Sequence, residues 1–239
     1  MNMEVIYKPR GRALEYSPWA LNLGKGCSHR CAYCYAPACL KAERSTWGQF
    51  ETKTGLLRRL EKDLVKFRPG PGERVLLCFT TDPYQSEPVA KLTGLILRQL
   101  KAAGIPFQVL TKGGMKAVRH FDLYGIGDAF ATTLTFASDD ESLRVEPGAA
   151  LPGDRVEAIR MAKAKGIETW VSFEPALDER AIIELYEKTK DFVDLYKVGK
   201  VSRFWSNIKD WASFGNAMID RFERDGKKYY IKDDLKSLL

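Results

Sequence analysis

Three cysteines fall within eight residues: Cys27, Cys31 and Cys34 in the run Gly26-Cys27-Ser28-His29-Arg30-Cys31-Ala32-Tyr33-Cys34-Tyr35. Thiolates are soft ligands, preferred by zinc and by iron–sulfur clusters. A structural zinc site closes with four ligands, and Cys39 or His29 would be available as the fourth. Three thiolates on a 4Fe–4S cluster instead leave one iron open to a substrate. Spacing alone does not choose between a zinc site, an electron-transfer cluster and an open catalytic cluster. Five cysteines are an odd number, and the N-terminal stretch has no apolar core of a secretory signal. Metal ligation is therefore expected rather than disulfides, with the cytoplasm as the compartment.

Such a loop needs a frame, and the chain supplies a repeating one. Strand candidates are 19–23, 74–79, 107–110, 130–135, 169–173 and 195–198. Each strand leads toward an amphipathic stretch, at 54–67, 89–103, 116–124, 153–165, 178–190 and 210–225. In the first of these, Leu57, Leu60, Leu64 and Phe67 recur at helical spacing, and Pro69-Gly70-Pro71-Gly72 ends it. Six βα units in one run predict an α/β fold with a parallel sheet. A full TIM barrel needs eight units and ~250 residues, so 239 residues suggest a partial (β/α)6 TIM-like barrel. Residues 1–239 read as one domain, with 1–18 as an N-terminal extension and 226–239 as a C-terminal tail. Ligands of such folds lie at the C-terminal ends of the strands. The cysteine loop, Gly24–Pro37, follows the first strand directly.

Hydrophobic residues make up 45% and charged residues 29%, and no apolar run approaches the ~20 residues of a membrane span. The net charge of +7 is compatible with a polyanionic partner, although no block of like charges stands out.

Cys-x3-Cys-x2-Cys with an aromatic before the third cysteine resembles the signature of the radical S-adenosylmethionine (SAM) superfamily. GCSHRCAYCYAP, TTDPYQSEP, VLTKG, TLTFASDDESLRVEP, SFEPALD and YKVGK, in that order, are similar to the spore photoproduct lyase-like members. The resemblance implies a radical SAM fold, a 4Fe–4S cluster on Cys27, Cys31 and Cys34, and SAM on the open iron. Reductive cleavage of SAM to a 5′-deoxyadenosyl radical would then abstract hydrogen from a substrate. An electron donor such as flavodoxin or ferredoxin is implied as partner.

The same resemblance puts Tyr33 beside the adenine and Asp82, with Thr81, at the methionine ammonium. A carboxylate suits that place, because charge-assisted hydrogen bonds are about twice as strong as neutral ones. Lys112 would pair with the methionine carboxylate. Thr135, Ser172 and Glu174 would meet the ribose, and backbone near Val198 and Gly199 would flank the adenine. Departures narrow the expectation. TTD stands where much of the superfamily has Gly-Gly-Glu, and Thr80 stands where spore photoproduct lyase carries a hydrogen-donating cysteine. Cys78, within RVLLCF, reads as a buried strand cysteine.

Basic residues gather at the expected rim: Lys8, Arg10, Arg12, Lys25 and Arg30, then Lys197, Lys200, Arg203 and Lys209, with Trp205 and Trp211 among the latter. Cations interleaved with aromatics suit phosphates and stacked bases, so a nucleic-acid substrate is expected; lyase or repair-like chemistry is what the resemblance implies. Trp211 belongs to an apolar helical stripe and is expected in the core. A small-molecule or peptide substrate and a non-enzymatic metal module are the competing expectations.

Overall fold

The computed structural model of the chain describes residues 5–239. Its strands are β1 (Ile6–Tyr7), β2 (Trp19–Leu21), β3 (Gly24–Lys25), β4 (Glu51–Thr52), β5 (Val75–Leu77), β6 (Phe107–Thr111), β7 (Ala129–Thr133), β8 (Glu168–Ala176), β9 (Leu195–Lys200) and β10 (Lys228–Ile231). Its α-helices are α1 (Ala36–Cys39), α2 (Leu56–Lys66), α3 (Glu87–Ala102), α4 (Asp139–Val145), α5 (Pro152–Ala164), α6 (Glu179–Thr189), α7 (Trp211–Arg224) and α8 (Asp233–Lys236). The main sheet runs β1-β2-β5-β6-β7-β8-β9-β10, parallel throughout except for β1. This is an α/β architecture with a curved, partial TIM-like barrel.

Two expectations about the chain ends change. Within the 226–239 tail, Lys228–Ile231 forms a seventh parallel strand on β9. Four residues ending in Tyr-Tyr-Ile carry too short an alternation to stand out from sequence. Within the 1–18 extension, Ile6–Tyr7 adds to β2, and the backbone N–H groups of Val5 and Ile6 both donate to Asp63 on α2. Residues 1–4 of that extension lie outside the described residues.

Alternation along the strands sorts the side chains. On β8, Val171 and Phe173 pack into the large core under the helices. Trp170 faces the other way, into a small inner cluster with Leu76, Ala129 and Ala131 that Tyr16, Phe79, Leu110 and Leu195 border. A period-two side-chain pattern then puts Ser172 and Glu174 on the inner face too. The β8–β9 register slips between Phe173 and Ala176, a bulge that re-aims the strand end.

Capping explains two helix starts. Asp178 accepts from Ala181 N–H at 3.0 Å, and Asp210 accepts from Ser213 N–H at 2.9 Å, as N-cap carboxylates do. The expected helix at 116–124 is a 3₁₀ segment, Gly114–Leu123. Its first N–H groups are diverted: Met115 N–H goes to Asp154 of α5, and Lys116 N–H to Gly113 three residues back. Among the described residues no helix is long and apolar enough to cross a membrane.

Candidate functional site

The cysteine loop is held to the barrel by hydrogen bonds along its whole length. Cys27 N–H donates to Trp47 O at 2.8 Å, and Ala32 N–H to Val145 O at 2.8 Å. Gly148 N–H donates to His29 O at 3.0 Å. Gln85, just past the β5 end, accepts from Ser28 N–H at 2.6 Å and donates to Gly26 O and to the Thr81 hydroxyl. The two glycines at these crossings have no room for a side chain. A Cβ at Gly148 would lie 2.1 Å from Ser28 O, and one at Gly26, whose φ is +86°, would lie 1.9 Å from Gln49 O.

A fully buried ion pair backs the loop. Arg155 of α5 donates to Glu146 at 2.6 Å, with both side chains 1% exposed or less. Arg155 also donates to the carbonyls of Ala150 and Thr133. Tyr33 from the loop donates its phenol to the other Glu146 oxygen. Burial alone would raise the Glu146 carboxyl, but the Arg155 and Lys112 charges hold it below its ordinary value. Burial, then the Glu146 charge, pushes the Tyr33 phenol well above its usual range. Glu146 lies within the TLTFASDDESLRVEP run, and nothing in the sequence marks it or Arg155 as a pair. A buried arginine leaves no mark in a helical pattern until its partner is known.

Burial raises all three thiols: Cys31 goes up to about 12, helped by Glu146, while Cys27 is raised further with help from Asp82, and Cys34 is raised as well. The protein alone therefore keeps them protonated. A bound metal's positive charge would have to drive the protons off. Three thiols on one loop fit a 4Fe–4S cluster, whose thiolates bind separate irons. Among the described residues no three His, Cys, Asp or Glu side chains converge on a single-ion site. Cys39 ends α1 and is exposed. Cys78 is buried and its thiol donates to Thr81 O, as expected of a core cysteine.

The candidate cofactor residues form two groups. Thr81 and Asp82 follow β5, and Lys112 follows β6. Asp82 is 8% exposed and accepts from Tyr84 N–H at 2.8 Å, the Thr111 hydroxyl at 2.6 Å and Lys112 N–H at 2.7 Å. His29 Nδ1 stands 3.6 Å from it, and burial lowers the histidine's pKa against the pull of that carboxylate. A carboxylate has about four lone-pair sites, so three bonds leave room for one more donor. Thr81 donates to Gly26 O. The Lys112 ammonium lies over the Tyr33 ring at 5.5 Å. Thr135, two residues past β7, is fully buried, and its hydroxyl has no partner among the described residues.

Ser172 and Glu174 make the second group. Tyr16 shares a 2.8 Å hydrogen bond with the Ser172 hydroxyl and donates to Glu174. Arg12 and Lys232 both pair with Glu174, Lys232 at 2.9 Å. The segment expected as an extension thus reaches into the barrel, where Tyr16 packs against Trp170 at 5.8 Å. Arg12 and Lys197 consequently are not free cations on the rim. Lys197 is 9% exposed, donates to the carbonyls of Glu15 and Tyr16, and lies over three aromatic rings. Burial, then the Lys232 charge, lowers it to about 8. Trp211 packs against the main core, as expected, whereas Trp205 is 42% exposed.

The family model for the Radical SAM superfamily matches residues 21–178, which include the cysteine loop and β5 to β8. Among curated relatives, Uncharacterized protein Rv2578c of Mycobacterium tuberculosis is 31% identical over 185 residues, covering 72% of this chain and 53% of that protein. Uncharacterized protein MJ0683 of Methanocaldococcus jannaschii is 24% identical, with 74% and 68% covered. The chain thus spans about half the length of the mycobacterial relative. Among solved structures, a spore photoproduct lyase variant superposes with a TM-score of 0.72 at 12% identity, over 94% of this chain and 78% of that one. Streptococcus suis SuiB bound to S-adenosylmethionine gives 0.65 at 12% identity, over 89% and 49%. Cysteine loop, sheet order and family match agree: this chain belongs to the Radical SAM superfamily.

Proposed function

We propose that the chain holds a 4Fe–4S cluster on Cys27, Cys31 and Cys34 and binds S-adenosylmethionine beside it. When bound, that pair supplies an electron-driven cleavage of SAM to methionine and a 5′-deoxyadenosyl radical, which takes hydrogen from a substrate. The observation that carries this reading is the set of groups collected at one rim: the three-thiol loop, the Asp82 carboxylate with one site spare, the Lys112 ammonium and the partnerless Thr135 hydroxyl. Lys112 would pair with the methionine carboxylate and Asp82 would take the ammonium as its fourth donor. Thr81, already donating to Gly26 O, would fix the turn that carries Asp82. Tyr33, Thr135, Ser172 and Glu174 would meet the nucleoside. Ser172 and Glu174 would do so as groups already oriented by Tyr16, Arg12 and Lys232.

The reductant would be a low-potential carrier such as flavodoxin or ferredoxin. For the substrate, a nucleic-acid base and lyase or repair-like chemistry are proposed. The loop after β9 supports this: Arg203 and Trp205 are exposed, and Phe204 between them packs on Tyr33 at 6.0 Å. One solved neighbour is spore photoproduct lyase complexed with dinucleoside spore photoproduct, and another is SuiB bound to precursor peptide SuiA. The peptide-bound neighbour keeps a peptide substrate as the alternative outcome.

Anaerobic reconstitution followed by a 5′-deoxyadenosine assay with a strong reductant tests the core reading. The wild type should form the nucleoside and Cys34→Ala should not. Equal yields from the two proteins would refute it. Binding of DNA and RNA over a salt series tests the substrate class, since phosphate contacts are strongest at low salt. No binding there excludes nucleic acid.

A further inference from the structure

Two sets of contacts hold the cysteine loop. Strand ends reach it through Gln85, Val145, Glu146 and Gly148, and residues 44–49 form a strap across it. Arg44 donates to the carbonyls of Cys31 at 3.3 Å and Cys34 at 2.5 Å, and Trp47 O accepts from Cys27 N–H. Where strap and loop meet lies a pocket of about 220 Å³ whose lining includes Arg30, Cys31, Arg44 and Gly48.

Both arginines of this pocket are set in place. Arg30 has left-handed backbone, with φ at +52°, which is uncommon outside glycine. Its guanidinium lies across Gly48, where a Cβ would sit 2.5 Å from Arg30 Nε. Arg44 is anchored on two carbonyls, and a guanidinium has five N–H donors, so it keeps donors to spare. Arg12, Arg74, Arg119, Arg155 and Arg160 are each paired with a carboxylate. Arg30 and Arg44 have no such partner among the described residues. Residues 25–48 carry Lys25, Arg30, Lys41 and Arg44 against a single acid, Glu43. Lys25 pairs with Glu51, whereas Arg30, Lys41 and Arg44 are exposed, as are the apolar Tyr35 and Leu40.

Substrate and SAM belong at the strand-end rim with Asp82, Lys112 and Thr135, none of which lines this pocket. What must still reach a cluster from outside is an electron, and its transfer slows steeply with distance. Cys31 lines the pocket, and Arg44 touches the backbone of both Cys31 and Cys34.

We propose that the face centred on Arg30 and Arg44 is the docking surface for a small acidic electron-carrier protein, one of whose surface carboxylates enters the pocket between the two guanidinium groups. The inference rests on the 4Fe–4S reading above and assigns its reductant a place. One electron leaves the carrier and one enters the cluster, and no bond is made or broken. Guanidinium groups suit carboxylates by their fork geometry. Electron-transfer complexes bury little surface, and exposed charges chiefly set how fast such partners meet and how strongly salt slows them.

The test uses a flavodoxin, an acidic flavin protein, with reconstituted wild type, Arg30→Glu and the double variant Arg30→Glu/Lys41→Glu. Calorimetry gives flavodoxin affinity, stopped-flow absorbance gives the rate of cluster reduction by flavodoxin hydroquinone, and iron analysis gives loading. At low salt both affinity and rate should fall tenfold or more in the variants, and the gap should narrow at high salt. Photoreduced 5-deazariboflavin, a small neutral reductant, should reduce all three proteins at one rate. Unchanged flavodoxin affinity and rate in the double variant overturn the proposal. Equal slowing with both reductants also overturns it, because the defect then lies in the loop. Loss of DNA binding with flavodoxin binding intact gives this face to nucleic acid instead. Flavodoxin binding needs no cluster in the chain, so a poorly loaded variant still reports on the surface. Wild type that takes up no four-iron cluster refutes the underlying reading, and iron analysis tells that failure apart from a failure of docking.

Discussion

Glu146 and Arg155 meet 2.6 Å apart in full burial, and the free oxygen of Glu146 takes the phenol of Tyr33. The neighbours Val145 and Gly148 hold Ala32 and His29 by their backbones. One ion pair on the α4–α5 connection thus fixes a cysteine loop more than a hundred residues earlier in the chain.

Breaking that pair on one side leaves a buried charge uncompensated, which costs about 3–5 kcal/mol. Glu146→Gln should lose this much in urea unfolding near neutral pH, and should load less iron. Glu146 has a folded pKa below its unfolded value of about 4.3. Its stabilisation is therefore present above that value and lost as pH falls through the folded one. The gap between wild type and Glu146→Gln should close in that acid window; a gap that persists unchanged would show that charge is not the cause.

Gly148→Ala should push the loop outward, because the new methyl would sit 2.1 Å from Ser28 O and 2.9 Å from the His29 Cα, both backbone. Overpacking of this kind costs about 1–3 kcal/mol. A lower melting temperature together with a lower iron-to-protein ratio is the expected result. Gly153→Ala, where a Cβ meets nothing within 4 Å, serves as the control and should change neither.

Asp82→Asn replaces one accepting oxygen with a donor among three incoming donors, two of them backbone N–H groups. At least one bond must be lost, at about 1–3 kcal/mol. Apo-protein melting should report this loss. SAM affinity of the reconstituted protein, by equilibrium dialysis, should fall by tenfold or more if Asp82 also takes the ammonium. Unchanged SAM affinity would leave Asp82 a purely structural hub.

Lys197 should make stability climb with pH in the alkaline range. Its folded pKa is about 8, below the ordinary value of about 10.4 in the unfolded chain. Between those values the unfolded state binds a proton that the folded state does not, so stability rises with pH. Lys197→Met should flatten the slope of unfolding free energy between roughly pH 8 and pH 9.5. An unaltered slope would mean that another group titrates there.

Sequence by itself determined the local and periodic features. The three cysteines, the strand–helix alternation and the order of the strand-end motifs are all set by short-range spacing, and each lies where the parallel sheet places a ligand face. The small features it missed are those whose signal is too brief to repeat, such as β10 and the 3₁₀ turn at Gly114–Leu123. Tertiary structure alone decided which polar groups are already engaged. Lys197 and Arg12 read as rim cations, yet packing against Tyr16, Trp170 and Glu174 takes both out of that role. Asp82 read as the partner of a ligand ammonium, and three donors from two strand ends already engage it. Glu146 and Arg155 gave no periodic signal, because their importance lies in the contact with Tyr33, distant along the chain. Burial makes those partnerships strong, and burial is a property of the fold rather than of any single stretch of sequence.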